Sequence, residues 1–106
     1  MKRRGAKLVP VRFSPNVPDG GAEGWGRFTR LAANGGELLT RFRLQKGDRL
    51  VLDFELTGER FGAFPAQVAR AATDIDGYYA AELRFLGPSS QVRLGRVLRD
   101  LLARVP

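Results

Sequence analysis

A chain of 106 residues with 43% apolar and 27% charged residues is sized and composed for one domain around one modest core. It contains no Cys and no His, which removes disulfides, thiolate chemistry, the usual zinc ligands and the usual general base near neutral pH. Lys and Arg number 18 against 11 Asp and Glu, and the formal charge of +7 points to an anionic partner: a nucleotide, a nucleic acid or an acidic protein face.

Residues 1–7 are basic and polar and read as an N-terminal arm, which leaves residues 8–106 as the single folded domain. Met1-Lys2-Arg3-Arg4 has the charged start of a signal peptide, but Arg12 interrupts the following segment before an apolar stretch of useful length develops. No apolar run approaches the ~20 residues of a membrane span, so a cytoplasmic protein is expected. Leu8 to Phe13 predict a first strand, with Pro10 confined to its beginning or to an edge because it lacks the N–H a ladder needs. Ser14 to Gly24, carrying Pro15, Asn16, Pro18, Asp19 and three glycines, is a loop by composition.

From Trp25 to Leu31 apolar residues alternate with small or charged ones, the period of a half-buried strand. Asn34-Gly35 signals a hairpin turn, because both residues tolerate positive φ. Leu38, Thr40 and Phe42 then share one face of the next strand. After a turn at Lys46-Gly47-Asp48, Leu50, Leu52, Phe54 and Leu56 point one way and Asp53 and Glu55 the other. Gly58-Glu59 leads into an extended stretch from Arg60 to Ala72, where Gly62 and Pro65 predict a bend or bulge. Asp74 to Gly77 turns the chain into a last strand, Tyr78 to Leu86. Ser89 or Ser90 then caps a helix, with Leu94, Val97, Leu98, Leu101, Leu102 and Val105 on its apolar side and Arg93, Arg96, Arg99 and Asp100 on the opposite one. Six hairpin-linked strands and one amphipathic helix predict a mainly β fold: a six-stranded antiparallel barrel whose C-terminal α-helix covers an open end or flank.

Most individual side chains have a plain structural reading. Trp25, Phe28 and Phe42 are expected in the core or in barrel-end packing. Tyr78 and Tyr79 are adjacent, so one of them faces out of the sheet. Asp53 and Glu55 form a solvated strand face, and no carboxylate has a partner in an apolar setting that would fit it for acid–base work. No catalytic residue and no metal ligand set is expected. A nucleic-acid-binding barrel is the alternative that the charge suggests. Against it, the arginines are dispersed and no strand shows paired exposed aromatics for base stacking.

The order of segments resembles the PilZ domain of bacterial cyclic di-GMP signalling. The resemblance lies in Arg3-Arg4-Gly5-Ala6-Lys7, in Arg30-Leu31-Ala32-Ala33-Asn34-Gly35-Gly36, in Leu44-Gln45-Lys46-Gly47-Asp48-Arg49-Leu50, in Val68-Ala69-Arg70 and in Ala81-Glu82-Leu83-Arg84-Phe85. It implies a PilZ-like barrel and a ligand site for cyclic di-GMP, built from an Arg-x-x-x-Arg arm and an Asp/Asn-x-Ser-x-x-Gly turn. Carried over residue by residue, that site comprises Arg3, Arg4 and Lys7 in the arm and Arg30, Ala32 and Gly35 at the turn. Arg3 and Gly35 keep the motif. Lys7 replaces an Arg and loses its bidentate fork. Arg30 stands where a hydrogen-bond acceptor for guanine is required, and Ala32 replaces a Ser. An unpaired buried polar group costs ~1–3 kcal/mol, so two or three such losses weaken binding by a factor of ~10²–10⁴. The expected protein is therefore a stand-alone PilZ-like adaptor of motility or secretion machinery, working through a protein partner, with cyclic di-GMP binding weak or lost. Arg4 is one residue off register and Arg12 lies just past the arm, which leaves a receptor with a shifted grip as the alternative.

Overall fold

Alternation along each strand sends every second side chain to one face, and six such strands can bury those faces only by curling around them. The computed structural model describes residues 9–15, 23–74 and 76–103. In chain order these form β1 (Val9–Pro15), β2 (Gly24–Ala32), β3 (Gly35–Thr40), β4 (Arg49–Leu56), β5 (Glu59–Thr73), β6 (Tyr79–Phe85) and α1 (Pro88–Ala103). The sheet closes into a barrel in the order β1-β2-β3-β6-β5-β4, with every pair antiparallel. The seam is the β1–β4 pair, from Val11 opposite Phe54 to Pro15 opposite Leu50. Pro10 precedes that seam and faces only Arg27 of β2, so its missing N–H falls at the beginning of the strand, as expected.

The expectation that consecutive strands pair fails between β3 and β4. Instead β3 pairs with β6. The reason lies in the connection: Gly47 N–H donates to the Val68 carbonyl and Val68 N–H to the Asp48 carbonyl, both at 2.8 Å. The turn is thereby anchored on β5, and Leu44, within the connection, is buried.

Inside, Leu50, Leu52, Phe54 and Leu56 of β4 all face the core, as their spacing predicts. Five phenylalanines, Phe28, Phe54, Phe61, Phe64 and Phe85, form a connected set of ring contacts with centroids 4.9–6.2 Å apart. Phe61 and Phe64 are three residues apart on one strand, yet both point inward. A bulge makes this possible, because Gly62 and Ala63 together oppose the single residue Asp53, with Ala63 at φ +50°. The same device recurs at Ala69, which lets Val68 and Ala71 both face in, and at Thr29, which does so for Phe28 and Leu31.

Two local expectations are corrected. The β2–β3 hairpin turns on Ala33-Asn34, with Ala32 opposite Gly35, and neither Asn34 nor Gly35 has positive φ. Gly35 is needed for space instead, since a Cβ there would collide with the Leu83 carbonyl oxygen. The helix begins at Pro88, before Ser89 and Ser90; Gly87 accepts the first helical bond, from Gln91 N–H at 2.9 Å. Proline suits that first position because its absent N–H would have had no helical partner.

Helix α1 seals one barrel end through Leu94 (0% exposed) and Val97 (6%). Arg93, expected on the solvated side, is instead a clamp. Its Nε donates to Glu59 Oε2 and its Nη2 to the Arg60 carbonyl, both at 2.6 Å, and its guanidinium lies 4.2 Å from the Phe61 ring centroid. Arg96, Arg99 and Asp100 are exposed, as expected. Among the described residues no helix is long and apolar enough to cross a membrane.

Phe61 joins the ring cluster to the helix clamp, so Phe61→Ala should cost about 3–5 kcal/mol of stability in chemical denaturation. Arg96→Ala, on the exposed helix face, should stay within about 0.5 kcal/mol of the parent.

Candidate functional site

A groove on the outer wall, beside the β2–β3 hairpin, arises where the sheet carries almost no side chain. Ala32, Gly35, Gly36 and Ala69 make its floor, and Arg30, Asn34, Glu82 and Arg84 rise around it, enclosing about 560 Å³. Each long wall residue has a backbone cause. Arg30 follows the Thr29 bulge, and Glu82 and Arg84 alternate with the inward-facing Ala81, Leu83 and Phe85 of β6. The floor glycines cannot be enlarged: a Cβ on Gly36 would lie 2.6 Å from the Arg30 carbonyl oxygen, and Gly35 is blocked as described.

The charges follow the register across the sheet. Arg30 faces Glu37, Glu37 faces Glu82, and Glu82 faces Arg70. Glu37 accepts a 2.7 Å bond from the Thr29 hydroxyl. Glu82 meets Arg70 at 3.6 Å, but both are well exposed, so this pair contributes about 0–1 kcal/mol. Arg84 donates to Gln67 Oε1 at 3.1 Å. Among the described residues Arg30 forms no ion pair. Two guanidiniums thus flank a bare floor, with the Glu82 carboxylate and the Asn34 amide as side-chain acceptors. Such an arrangement receives an anion readily beside the guanidiniums and leaves Glu82 and Asn34 as the side-chain acceptors for a ligand edge made of donors.

Of the residues singled out in the sequence, Arg30, Ala32 and Gly35 meet in this groove. Arg3, Arg4 and Lys7 lie outside the described residues. Glu82, Arg84 and Ala69 were missed, because they arrive from β5 and β6, distant along the chain. The outward phase of β6, opposite Leu83 and Phe85, was the one signal that could have placed Glu82 and Arg84 on an outer wall.

The far end of the barrel holds a second set of side chains and requires a correction. Trp25 is 62% exposed and Phe42 40% exposed, so neither belongs to the core, whereas Phe28 does. The phase of β2 turns Trp25 outward beside Arg12, whose guanidinium lies 5.5 Å from the indole centroid. Phe42 lies past the end of β3 and packs edge-on to Phe13 at 6.1 Å, which fits the barrel-end part of the expectation. Tyr78 and Tyr79 are both half-buried. Arg41 and Arg27 stand 4.6 and 5.8 Å from the Tyr78 ring centroid. Arg41, as hydrogen-bond donor and as nearby positive charge, holds the Tyr78 phenol below its ordinary value of 10.0.

No family model and no curated protein matches the sequence. Solved structures do match the fold. Escherichia coli YcgR in complex with cyclic di-GMP superposes with a TM-score of 0.67 at 22% identity, over 96% of this chain and 47% of that one. The Bacillus subtilis inhibitor of motility gives 0.69 at 18% identity, over 100% and 55%. The PilZ domain of CeSA from a cellulose-synthesising bacterium gives 0.65 at 20%, over 92% and 99%. The chain therefore spans about half the length of the first two proteins and nearly all of an isolated PilZ domain, and its fold is that of a PilZ domain.

In an ultraviolet absorbance titration one phenol step should fall below pH 10. In Arg41→Gln that step should move upward, because the donor and charge that favour the phenolate are gone.

Proposed function

We propose that this chain, with its PilZ fold, is an adaptor in bacterial second-messenger signalling or motility, acting in the cytoplasm by binding a protein partner. Cyclic di-GMP binding is weak or lost in this reading. The observation that carries it is Arg30. In the motif that the turn resembles, this position supplies an acceptor to a guanine edge, and a guanidinium has five donors and no acceptor. Ala32, beside it on the groove floor, removes a further hydroxyl. Each mismatch costs ~1–3 kcal/mol in a desolvated contact, enough together to move an ordinary micromolar ligand out of its working range. The solved structures of similar fold include YcgR with cyclic di-GMP and an inhibitor of motility, and the second description suits the adaptor reading. With neither His nor Cys in the chain, binding rather than catalysis is the natural mode.

A second reading has its own observation. Arg30 and Arg84 flank a floor of glycine and alanine, a fitting seat for a phosphate. A receptor could use it if the arm, with Arg3, Arg4 and Lys7, closed over the groove.

Calorimetric titration with cyclic di-GMP at moderate salt separates the two. The adaptor reading expects no saturable heat from the parent, and a gain of at least tenfold in affinity for Arg30→Asp combined with Ala32→Ser. Saturable micromolar binding by the parent, lost in Arg3→Ala, would establish the receptor instead.

A further inference from the structure

The barrel end away from α1 gathers six side chains that the groove does not use: Trp25, Phe42 and Tyr78, with Arg12, Arg27 and Arg41. We propose that this end is a docking surface for an acidic segment of a partner protein, one that presents a carboxylate next to a large apolar side chain. The inference rests on the adaptor reading for the existence of a protein partner, and it gives that partner a place to bind.

The apolar half of the recognition comes from Trp25 and Phe42. Both are large and substantially exposed (62% and 40%), and they border a recess of about 280 Å³ floored by Gly26 and Thr40, room for one inserted side chain. Covering such surface removes apolar area from water and favours association. The floor is fixed. A Cβ on Gly26 would lie 2.7 Å from the Leu39 carbonyl oxygen, and the Thr40 hydroxyl is engaged by the Trp25 carbonyl and by Phe42 N–H.

The charged half comes from the arginines. Arg12 lies against Trp25, and Arg27 and Arg41 against Tyr78, at 4.6–5.8 Å from the ring centroids. A guanidinium resting on an aromatic face is held in orientation while its N–H edge remains available to a carboxylate. Arg27 is half-buried against this end, with its Nε enclosed by the protein. Trp, Tyr and Arg are also the residue types that dominate the energetics of protein–protein contacts.

Charge at the rim argues for a peptide over a nucleic acid. Asp74 and Asp76 lie close enough to Arg41 to act on its charge, and Asp74 is fixed there by accepting bonds from Asp76 N–H and Tyr78 N–H, each at 2.9 Å. These carboxylates would repel a continuous phosphate backbone, whereas a single carboxylate between Arg27 and Arg41 can avoid them.

Trp25 is the chain's one tryptophan, so its emission reports occupancy directly. The full chain is titrated with a synthetic peptide carrying one Glu beside Phe and Leu in an otherwise neutral sequence, with the same peptide carrying Lys in place of that Glu, and with a short oligothymidylate. The acidic peptide should give a saturable blue shift, and the Lys peptide none. In Arg27→Gln combined with Arg41→Gln, checked for a cooperative melt, the acidic peptide should bind about tenfold more weakly or worse. Arg96→Gln should respond as the parent does. No shift with the acidic peptide, an equal shift with the Lys peptide, or an undiminished response in the double variant would overturn the proposal. Tighter binding of oligothymidylate would assign this end to nucleic acid. Failure of the adaptor reading shows elsewhere, as saturable cyclic di-GMP binding at the groove in calorimetry.

Discussion

The contact set of five phenylalanines is the constraint on which the rest of the molecule depends. A six-stranded barrel has a narrow interior that side chains must fill, and here rings from β2, β4, β5 and β6 fill it together with leucines and valines. Strict alternation cannot supply those rings. Phe61 and Phe64 face inward together only because Gly62 and Ala63 bulge, and Phe28 with Leu31, and Val68 with Ala71, need the bulges at Thr29 and Ala69. Each bulge satisfies the core and re-aims the residues beside it. Arg30 and the Ala69 floor are set in this way, so the groove on the outer wall is a consequence of how the inside is packed.

The same closure separates two chemistries. At the end carrying α1, the hairpin, the floor glycines and the β6 wall produce a shallow groove whose prominent side chains are guanidiniums and one carboxylate. At the other end, strand phase pushes Trp25 out and the connection after β3 leaves Phe42 uncovered among arginines. Because the sheet closes into a barrel, no strand among the described residues offers a partner an edge free along its whole length, and these side-chain surfaces are available for recognition instead.

Much of this architecture is legible in the sequence. The run Leu50, Leu52, Phe54, Leu56 against Asp53 and Glu55 fixes β4 unaided, and the spacing of Leu94, Val97 and Leu98 fixes the helix and its buried face. What is not legible involves partners far apart along the chain. That β3 pairs with β6 depends on Gly47 and Asp48 bonding to Val68. That Arg93 is a clamp depends on Glu59 and Phe61 being brought beneath it. The turn signal at Asn34-Gly35 lies one residue past the turn at Ala33-Asn34, and Gly35 yields room to the Leu83 carbonyl and does not adopt positive φ. For the groove, Arg30, Ala32 and Gly35 were identifiable from one segment, while Glu82 and Arg84 come from a strand whose neighbour the sequence does not declare.

The adaptor reading holds that Arg30 puts a donor where the motif places the acceptor for a guanine edge, and that the molecule works through a protein contact. Nitrogen-15 NMR titration with cyclic di-GMP tests it most directly, because the Gly35 and Gly36 amides report on the groove floor and the Trp25 indole N–H reports on the opposite end in the same spectra. Neither glycine amide should shift in a saturable way at ligand concentrations up to about a hundredfold above a micromolar dissociation constant. Saturable shifts of Gly35 and Gly36 with micromolar affinity would contradict the account and make the protein a nucleotide receptor.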